Sequence, residues 1–282
     1  MRIDLHTHST RSDGTDAPAA LVEAAAAAGL DVVALTDHDV MSGWDDAITA
    51  AGSVGITVVP GVEISCERDG RSVHLLGYLV DPADSALLAE LDLARSSRAT
   101  RLTRMVDLLA ADGIPITQDH VAAQVPPGAT PGRPHVADAL VAAGVVPTRD
   151  EAFRRWLADD SPYYVRYYAP DPAAAVALVR GAGGVPVLAH PLAARRGVAP
   201  TLALVEELAP LGLAGVEADH PDHDAAARRA VRAVARHTGV FVTGSSDYHG
   251  TGKPVRIGAE CTDPDALAAI EALGTGSAVA RP

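Results

Sequence analysis

His6 and His8 stand one residue apart, directly after the short stretch Arg2-Ile3-Asp4-Leu5, and Asp13 follows close behind. Side chains along a strand alternate between its faces, so a His-x-His pair at a strand end points both imidazoles the same way. Two imidazoles beside a carboxylate suit a first-row divalent metal. In isolation, a pair of solvent-exposed histidines would look the same. What decides between the two is repetition. Thr36-Asp37-His38, Gly61-Val62-Glu63, His74, Ala189-His190-Pro191 and Ser246-Asp247-Tyr248-His249 each place a histidine or carboxylate at or just past a strand-like run. Six independent strand ends carrying such groups are hard to reconcile with scattered surface polarity. Taken singly, His120 and His237 fall in or beside helical runs and read as surface residues. His223 fits either reading, and His220 lies near the site without a firm role.

The elements that must position these groups follow an alternating pattern. Strand-like runs at residues 2–5, 31–35, 57–65, 73–78, 185–189, 215–217 and 240–244 are mostly separated by helical runs; Asp16 reads as the N-cap of the first helix, with Pro18 in its first turn. A hairpin-like turn at Asp69-Gly70 joins the third and fourth strands. Alternation of this kind implies a parallel sheet or a barrel, with all the candidate ligands at the C-terminal strand ends where barrel active sites lie. No strand pattern appears between about residues 85 and 160. That stretch is helical, with Leu87, Leu91, Leu102, Met105, Val106 and Leu109 at apolar positions, and is locally neutral: eight Arg and eight Asp/Glu lie between Arg95 and Asp160. The expected organisation is a barrel formed by residues 1–84 and 161–282, interrupted by a helical insertion, residues 85–160, that caps the substrate. Arg95, Arg98, Arg101 and Arg104 recur at helical spacing, and a solvated charged face is the expectation for most of them. Arg133-Pro134-His135 opens a further helix of the insertion.

Of the 282 residues, 48% are hydrophobic but only 4% aromatic, so Ala, Val and Leu must fill the core. A formal charge of −13 excludes a nonspecific grip on long double-stranded nucleic acid, while leaving room for a small anion at a local cationic site. Cys66 and Cys261 show no metal-ligand spacing and fit a reducing compartment. No secretory h-region and no membrane-spanning run appear, so a cytoplasmic, monomeric protein is expected.

In their order along the chain, His6-x-His8, Asp13, Thr36-Asp37-His38, Gly61-Val62-Glu63, His74, Ala189-His190-Pro191 and Ser246-Asp247-x-His249 resemble the PHP (polymerase and histidinol phosphatase) family. The resemblance covers nearly the whole chain. It implies an α/β fold, a distorted seven-stranded βα barrel holding three divalent metals. By that resemblance His6, His8, Glu63 and Asp247 hold the first ion, Glu63, His74 and His190 the second, and Asp13, His38 and His249 the third, with Glu63 bridging two. It also implies a hydrolase of phosphate esters, in which Glu63, Asp247 and His249 act through the metals on a metal-bridging hydroxide. A ligand set of mixed nitrogen and oxygen donors without cysteine favours Mn²⁺, Zn²⁺ or Fe²⁺ over a closed structural zinc, and Mn²⁺ is the first expectation. The insertion with Arg133-Pro134-His135 resembles the stand-alone branch that includes 3′,5′-nucleotide bisphosphate phosphatases and the 5′-3′ exoribonuclease RNase AM. That implies small phosphorylated substrates, either nucleoside bisphosphates or short RNA ends.

Arg133 is a candidate phosphate contact, because a guanidinium matches phosphate oxygens two at a time. His135 could touch the same group or donate a proton, and Arg195, with Arg196 beside it, is a weaker candidate. After Glu217 the chain carries Ala218-Asp219 where the branch often has a Tyr-type residue, so substrate contacts do not carry over there. Three other readings stay open. One is a histidinol-phosphate phosphatase, against which the insertion speaks. Another is an amidohydrolase-type C–N hydrolase, whose usual site lacks the bridging Glu63 and the extra His249 and often uses a lysine; the one lysine here is Lys253. The last is a non-catalytic metal-binding module, which predicts eroded ligands where none is eroded.

Overall fold

A computed structural model describes residues 1–158, 160–193 and 202–282. Seven strands lie side by side in chain order: β1 (Ile3–Asp4), β2 (Val32–Leu35), β3 (Thr57–Arg68), β4 (Arg71–Tyr78), β5 (Val185–Leu188), β6 (Gly215–Asp219) and β7 (Phe241–Gly244). All neighbours run parallel except β4, which is antiparallel to both β3 and β5. The expected run of parallel strands is therefore broken at one place. The cause is the two-residue turn Asp69-Gly70, with φ of 54° and 75°, which only a hairpin accommodates and which the Asp-Gly pair favours.

The sheet curls until its two edges meet, giving a nearly closed barrel. A parallel bridge joins Thr7 to Tyr248 beyond β1 and β7, and the His8 amide donates to the Tyr248 carbonyl at 2.8 Å. Thr262 wedges between the same edges, its amide on the Ile3 carbonyl and its hydroxyl on Gly244. The fully buried Asp4 completes the seam. Its carboxyl accepts from the Ser246 amide (3.0 Å), the Ser246 hydroxyl (2.5 Å) and the Gly258 amide (2.8 Å).

Period-two alternation divides the strand residues between two apolar layers. Val32, Ala34, Val59, Leu76, Tyr78, Val185 and Val187 belong to one, the barrel interior. Val33, Leu35, Val58, Val62, Leu75 and Leu188 belong to the other, which packs against the outer helices. Those helices are α1 (Pro18–Ala27), α2 (Trp44–Val54) and, after a gap in the pattern, α7 (Pro172–Gly181), α8 (Ala203–Leu208), α9 (Ala225–Thr238) and α10 (Pro264–Leu273). Between β4 and α7 run α3 (Ser85–Ala111), α4 (Gln118–Ala122), α5 (Arg133–Ala142) and α6 (Arg149–Ala152). From Leu102 to Val165 these helices gather around an apolar cluster of their own, including Met105, Leu109, Val136, Leu140 and Phe153. Leu87 and Leu91 at the start of α3 pack instead with the barrel helices. No helix of the described residues is long and apolar enough to cross a membrane.

Candidate active site

His6 and His8 leave the end of β1, His38 the end of β2, His190 the end of β5, and Asp247 and His249 the end of β7. Two ligands depart from the expectation that every such residue ends a strand. Glu63 lies in mid-strand, because β3 continues past the barrel into the hairpin. His74 lies near the start of β4, opposite Ser65; since β4 runs antiparallel, its first half reaches the same face as its neighbours' last residues. His190 (φ 23°) and Asp247 (φ 51°) hold backbone conformations in the left-handed region, which for these residue types costs about 1–2 kcal/mol each. Strain of this kind persists where the surroundings enforce it, and here it turns both side chains inward.

The nine predicted ligands converge on one mouth of the barrel. Within four overlapping groups the candidate donor atoms lie within 4.8 Å of one another: His8, Asp13, His38 and His249; His6, Glu63 and His190; His6, His8 and Asp247; and His38, Glu63 and His74. Glu63 is the hub, buried to 1% exposure. Its Oε1 lies 2.7 Å from His74 Nδ1 and 3.1 Å from His190 Nε2. Its Oε2 lies 3.2 Å from His6 Nε2, 3.1 Å from His8 Nε2 and 3.1 Å from His38 Nδ1.

Hydrogen bonding at the outer ring nitrogens fixes which inner atoms carry lone pairs. His6 Nδ1–H donates to Glu217 Oε1 (3.3 Å), and His8 Nδ1 has Ser12 Oγ at 3.3 Å. Their Nε2 atoms then face each other at 3.0 Å, with Glu63 Oε2 beside both. His249 Nδ1–H donates to the Asp247 carbonyl at 2.8 Å, which aims its Nε2 lone pair at Asp13 Oδ1, 3.2 Å away. His38 Nδ1 is buried beside Glu63 and forms no hydrogen bond there. Acceptors facing acceptors in a buried pocket fit divalent cations, which replace exactly this kind of missing donor. Burial alone would strip the proton from His8, yet Asp247 and Glu63 raise its pKa to about 9, so the carboxylates draw a positive charge to this point, whether a proton or the cation that displaces it. Burial likewise opposes charge on Glu63, Asp13 and Asp247, and the surrounding imidazoles, with Lys253 for Asp247, still hold all three carboxyls well below their usual range.

A surrounding layer holds the ligands in place. Asp37 accepts from the Ser9 amide (2.8 Å) and from the Ser9 and Ser12 hydroxyls (both 2.6 Å), fixing the loop between His8 and Asp13. Asp39 accepts from the Ser65 amide and hydroxyl, both at 2.8 Å, tying the His38 turn to β3. Glu217, wholly buried, accepts from His6, from the His190 amide (2.9 Å) and from the Ser245 hydroxyl, so one carboxylate orients residues from three strand ends. Burial would raise its pKa, but the charges of His6, His220 and His190 outweigh that and hold it at about 2. Partners of this kind set ligand orientation and basicity. His220 presents Nε2–H to Asp247 Oδ2 at 3.3 Å, and His223 is buried, bridging the Leu192 amide and the Ala218 carbonyl. His120 and His237 are exposed, as their helical settings implied.

The insertion supplies the rest of the surroundings. His135 is buried at the first turn of α5, its Nδ1 accepting from the Gly132 amide at 3.0 Å, and burial lowers its pKa. Arg133 Nη1 donates to the Leu157 carbonyl at 2.8 Å, and its guanidinium lies over Phe153 and Tyr164. Arg195 and Arg196 lie outside the described residues. The solvated face expected for the α3 arginines holds for Arg104 but not for Arg98 and Arg101, which are buried. Their burial comes from Tyr164 and Tyr167, some sixty residues on, which no local pattern ties to α3. Lys253 pairs with Asp247. A cavity of about 510 Å³ opens between His220, Asp247 and Lys253 on the barrel side and Asp150, Phe153 and Arg154 on the insertion side.

A nearly closed α/β barrel whose mouth carries imidazoles and carboxylates in metal-binding groups defines a metal-dependent hydrolase. The comparisons with known proteins make the class specific. Residues 4–111 match the model of the PHP domain. A 3′,5′-nucleoside bisphosphate phosphatase of Chromobacterium violaceum is 33% identical over 89% of this chain and 88% of its own. A 5′-3′ exoribonuclease of Haemophilus influenzae is 38% identical over 68% of this chain and 69% of its own. The crystal structure of a candidate metal-dependent phosphoesterase from Bifidobacterium adolescentis superposes with a TM-score of 0.93 at 39% identity, covering 97% of this chain and 96% of its own. The chain belongs to the PHP-domain family and is a metal-dependent phosphoesterase, an enzyme that hydrolyses phosphate ester bonds.

Proposed function

We propose that this enzyme removes phosphate from small nucleotides, nucleoside 3′,5′-bisphosphates first, and trims the 5′ ends of short RNA with the same site. The observation that carries the reading is the juxtaposition of a carboxylate–imidazole mouth with the buried arginines of α3. One phosphate ester requires only the mouth, whereas a substrate with two phosphates also uses the cationic wall beside it. The names of the two relatives support both substrate classes.

In this reading three divalent ions, Mn²⁺ first, are held by His6, His8, Asp13, His38, Glu63, His74, His190, Asp247 and His249, with Glu63 shared between two. Such ions supply a nucleophile near neutral pH and positive charge for the oxygens of the reacting phosphate. Glu217, Asp37 and Asp39 keep the ligands aimed, as their hydrogen bonds describe. Residues 85–160 act as the cap that selects the substrate, with His135 and Arg133 in its wall. The enzyme works in the cytoplasm, where Cys66 and Cys261 stay reduced.

The test is a phosphate-release assay with Mn²⁺ over adenosine 3′,5′-bisphosphate, AMP, histidinol phosphate and a 5′-phosphorylated short RNA. The bisphosphate and the RNA should exceed AMP and histidinol phosphate in kcat/KM by about tenfold or more, the value of one charge-assisted phosphate contact. A preference for histidinol phosphate, or equal rates on all four, would overturn the reading.

A further inference from the structure

Two cavities meet at the rim of the barrel mouth. The first, between the insertion and the ends of β6 and β7, has Pro254 and Val255 in its wall beside Asp247 and Lys253. The second shares Pro254 and Val255 and continues beyond them as an open groove of about 790 Å³, lined also by Tyr248, Arg256, Ile257 and Arg2. Tyr248 stands between the candidate ligands Asp247 and His249, so the groove starts at the mouth. Arg2 precedes β1, at the opposite end of the barrel. Thr7, which bridges Tyr248, lies five residues after Arg2, or roughly 16 Å of strand. The groove therefore runs the height of the barrel wall, along the outside of the seam between β1 and β7.

Its lining carries two arginines and no carboxylate, in a chain of formal charge −13. Arg2 spans the floor and donates to the Ala28 carbonyl and, at 3.1 Å, to that of Gly258, neutral partners that leave its positive charge in place. Arg256 is exposed and pairs with no carboxylate among the described residues. Pro254, Val255 and Ile257 add apolar surface, and the Tyr248 ring is held by its hydroxyl, which donates to Asp16 at 2.7 Å. A fixed aromatic ring beside unpaired guanidiniums in an open groove suits a single nucleic-acid strand, whose bases stack while its phosphates pair with the cations. A small effector would need enclosing walls, which this groove lacks.

The place of the groove decides which part of a strand it meets. Arg98 of α3 joins Asp39, 3.0 Å from its Nε, and Ser65, so the insertion closes the β2–β3 side of the mouth. The first cavity leaves the β6–β7 side open, and a strand leaving by it passes Pro254 and Val255 into the groove.

We propose that this groove carries the trailing strand of an RNA substrate, the nucleotides 3′ to the linkage hydrolysed at the mouth, with Arg256 on the phosphate backbone and Tyr248 against a base. This rests on the RNA-trimming part of the function given above and adds where the rest of the RNA lies. Arg256 acts by binding, not in the chemistry.

The test compares the Mn²⁺-loaded parent with Arg256→Glu and Arg256→Lys on 5′-phosphorylated RNAs of two and eight nucleotides. The Arg256 side chain is exposed, so both variants should fold as the parent does. For the parent, the octamer should exceed the dinucleotide in kcat/KM by about tenfold, the value of one stacked base or one charge-assisted phosphate contact. Arg256→Glu should lose that advantage through KM, while its kcat/KM on the dinucleotide and on adenosine 3′,5′-bisphosphate stays within about threefold of the parent's. Arg256→Lys should keep most of the advantage, because a point charge still pairs with a phosphate. Equal octamer values for the parent and Arg256→Glu, or equal losses on octamer and dinucleotide, would overturn the proposal. Binding separates the groove from the function. Fluorescence anisotropy of a 3′-labelled octamer with phosphorothioate linkages, which resist hydrolysis, should show Arg256→Glu binding about tenfold more weakly and with a shallower dependence on salt. If the parent hydrolyses no RNA yet binds the octamer in this Arg256-dependent way, the trimming function is wrong and the groove stands. Octamer affinity unchanged in Arg256→Glu overturns the groove whatever the turnover.

Discussion

Replacing Glu63 with alanine should reduce phosphate release by about a thousandfold or more and lower the metal content of the purified protein. Glu63 brings its two oxygens within 3.2 Å of five imidazoles from β1, β2, β4 and β5, and no neighbouring carboxylate occupies the same position. Metal ions contribute several kcal/mol of charge stabilisation to such reactions, and each 1.36 kcal/mol is a factor of ten in rate. Losing the shared ligand should therefore remove most of the rate rather than a fraction of it. Glu63→Gln, which keeps the shape but not the charge, should behave similarly while folding like the parent. Metal analysis of folded Glu63→Ala showing full content together with normal turnover would be incompatible with the site as described.

Asp4→Ala should be the most destabilising single change at the barrel seam, by roughly 3–5 kcal/mol, the combined worth of its buried hydrogen bonds. The Asp4 carboxyl accepts from Ser246 twice and from Gly258 once, joining β1 to the segment after β7. Alanine would leave those donors buried and unpaired. Because Ser246 directly precedes Asp247, the same change should loosen the metal site. A denaturant titration gives the first effect and metal affinity the second. A midpoint equal to that of the parent would assign the closure to Thr262 and to the Thr7–Tyr248 bridge instead.

The nine candidate ligands could be read from the chain because strand geometry converts spacing into direction: His-x-His after β1 and Asp-x-His after β7 point one way wherever the strand goes. The Asp69-Gly70 hairpin was equally legible, since few other turns take that pair. What it does to His74 was not. Reversing β4 moves its first residues to the active face, a consequence of tertiary pairing that leaves no local trace. Asp16 illustrates a competition that sequence does not settle. It carries the mark of an N-cap, yet α1 is capped by Ala17 without a side-chain bond, and Asp16 accepts from the Tyr248 hydroxyl at 2.7 Å. Glu217 and the brace residues Asp37 and Asp39 are invisible as a group, because each is recognised only by what it touches from another strand. The burial of Arg98 and Arg101 is hidden from the sequence for the same reason. A helix with arginines every third residue looks like a wet face until distant tyrosines cover it.

The central claim is that the residues converging on Glu63 form a divalent metal centre on which phosphate ester hydrolysis depends. Equilibrium dialysis of the chelator-treated protein against Mn²⁺, with phosphate release from adenosine 3′,5′-bisphosphate measured on the same samples, tests it most directly. The account predicts that activity vanishes on chelation, returns with Mn²⁺, and saturates together with tight binding of three ions per chain. Turnover that persists after the metal is gone, or Mn²⁺ that binds without restoring turnover, would contradict it.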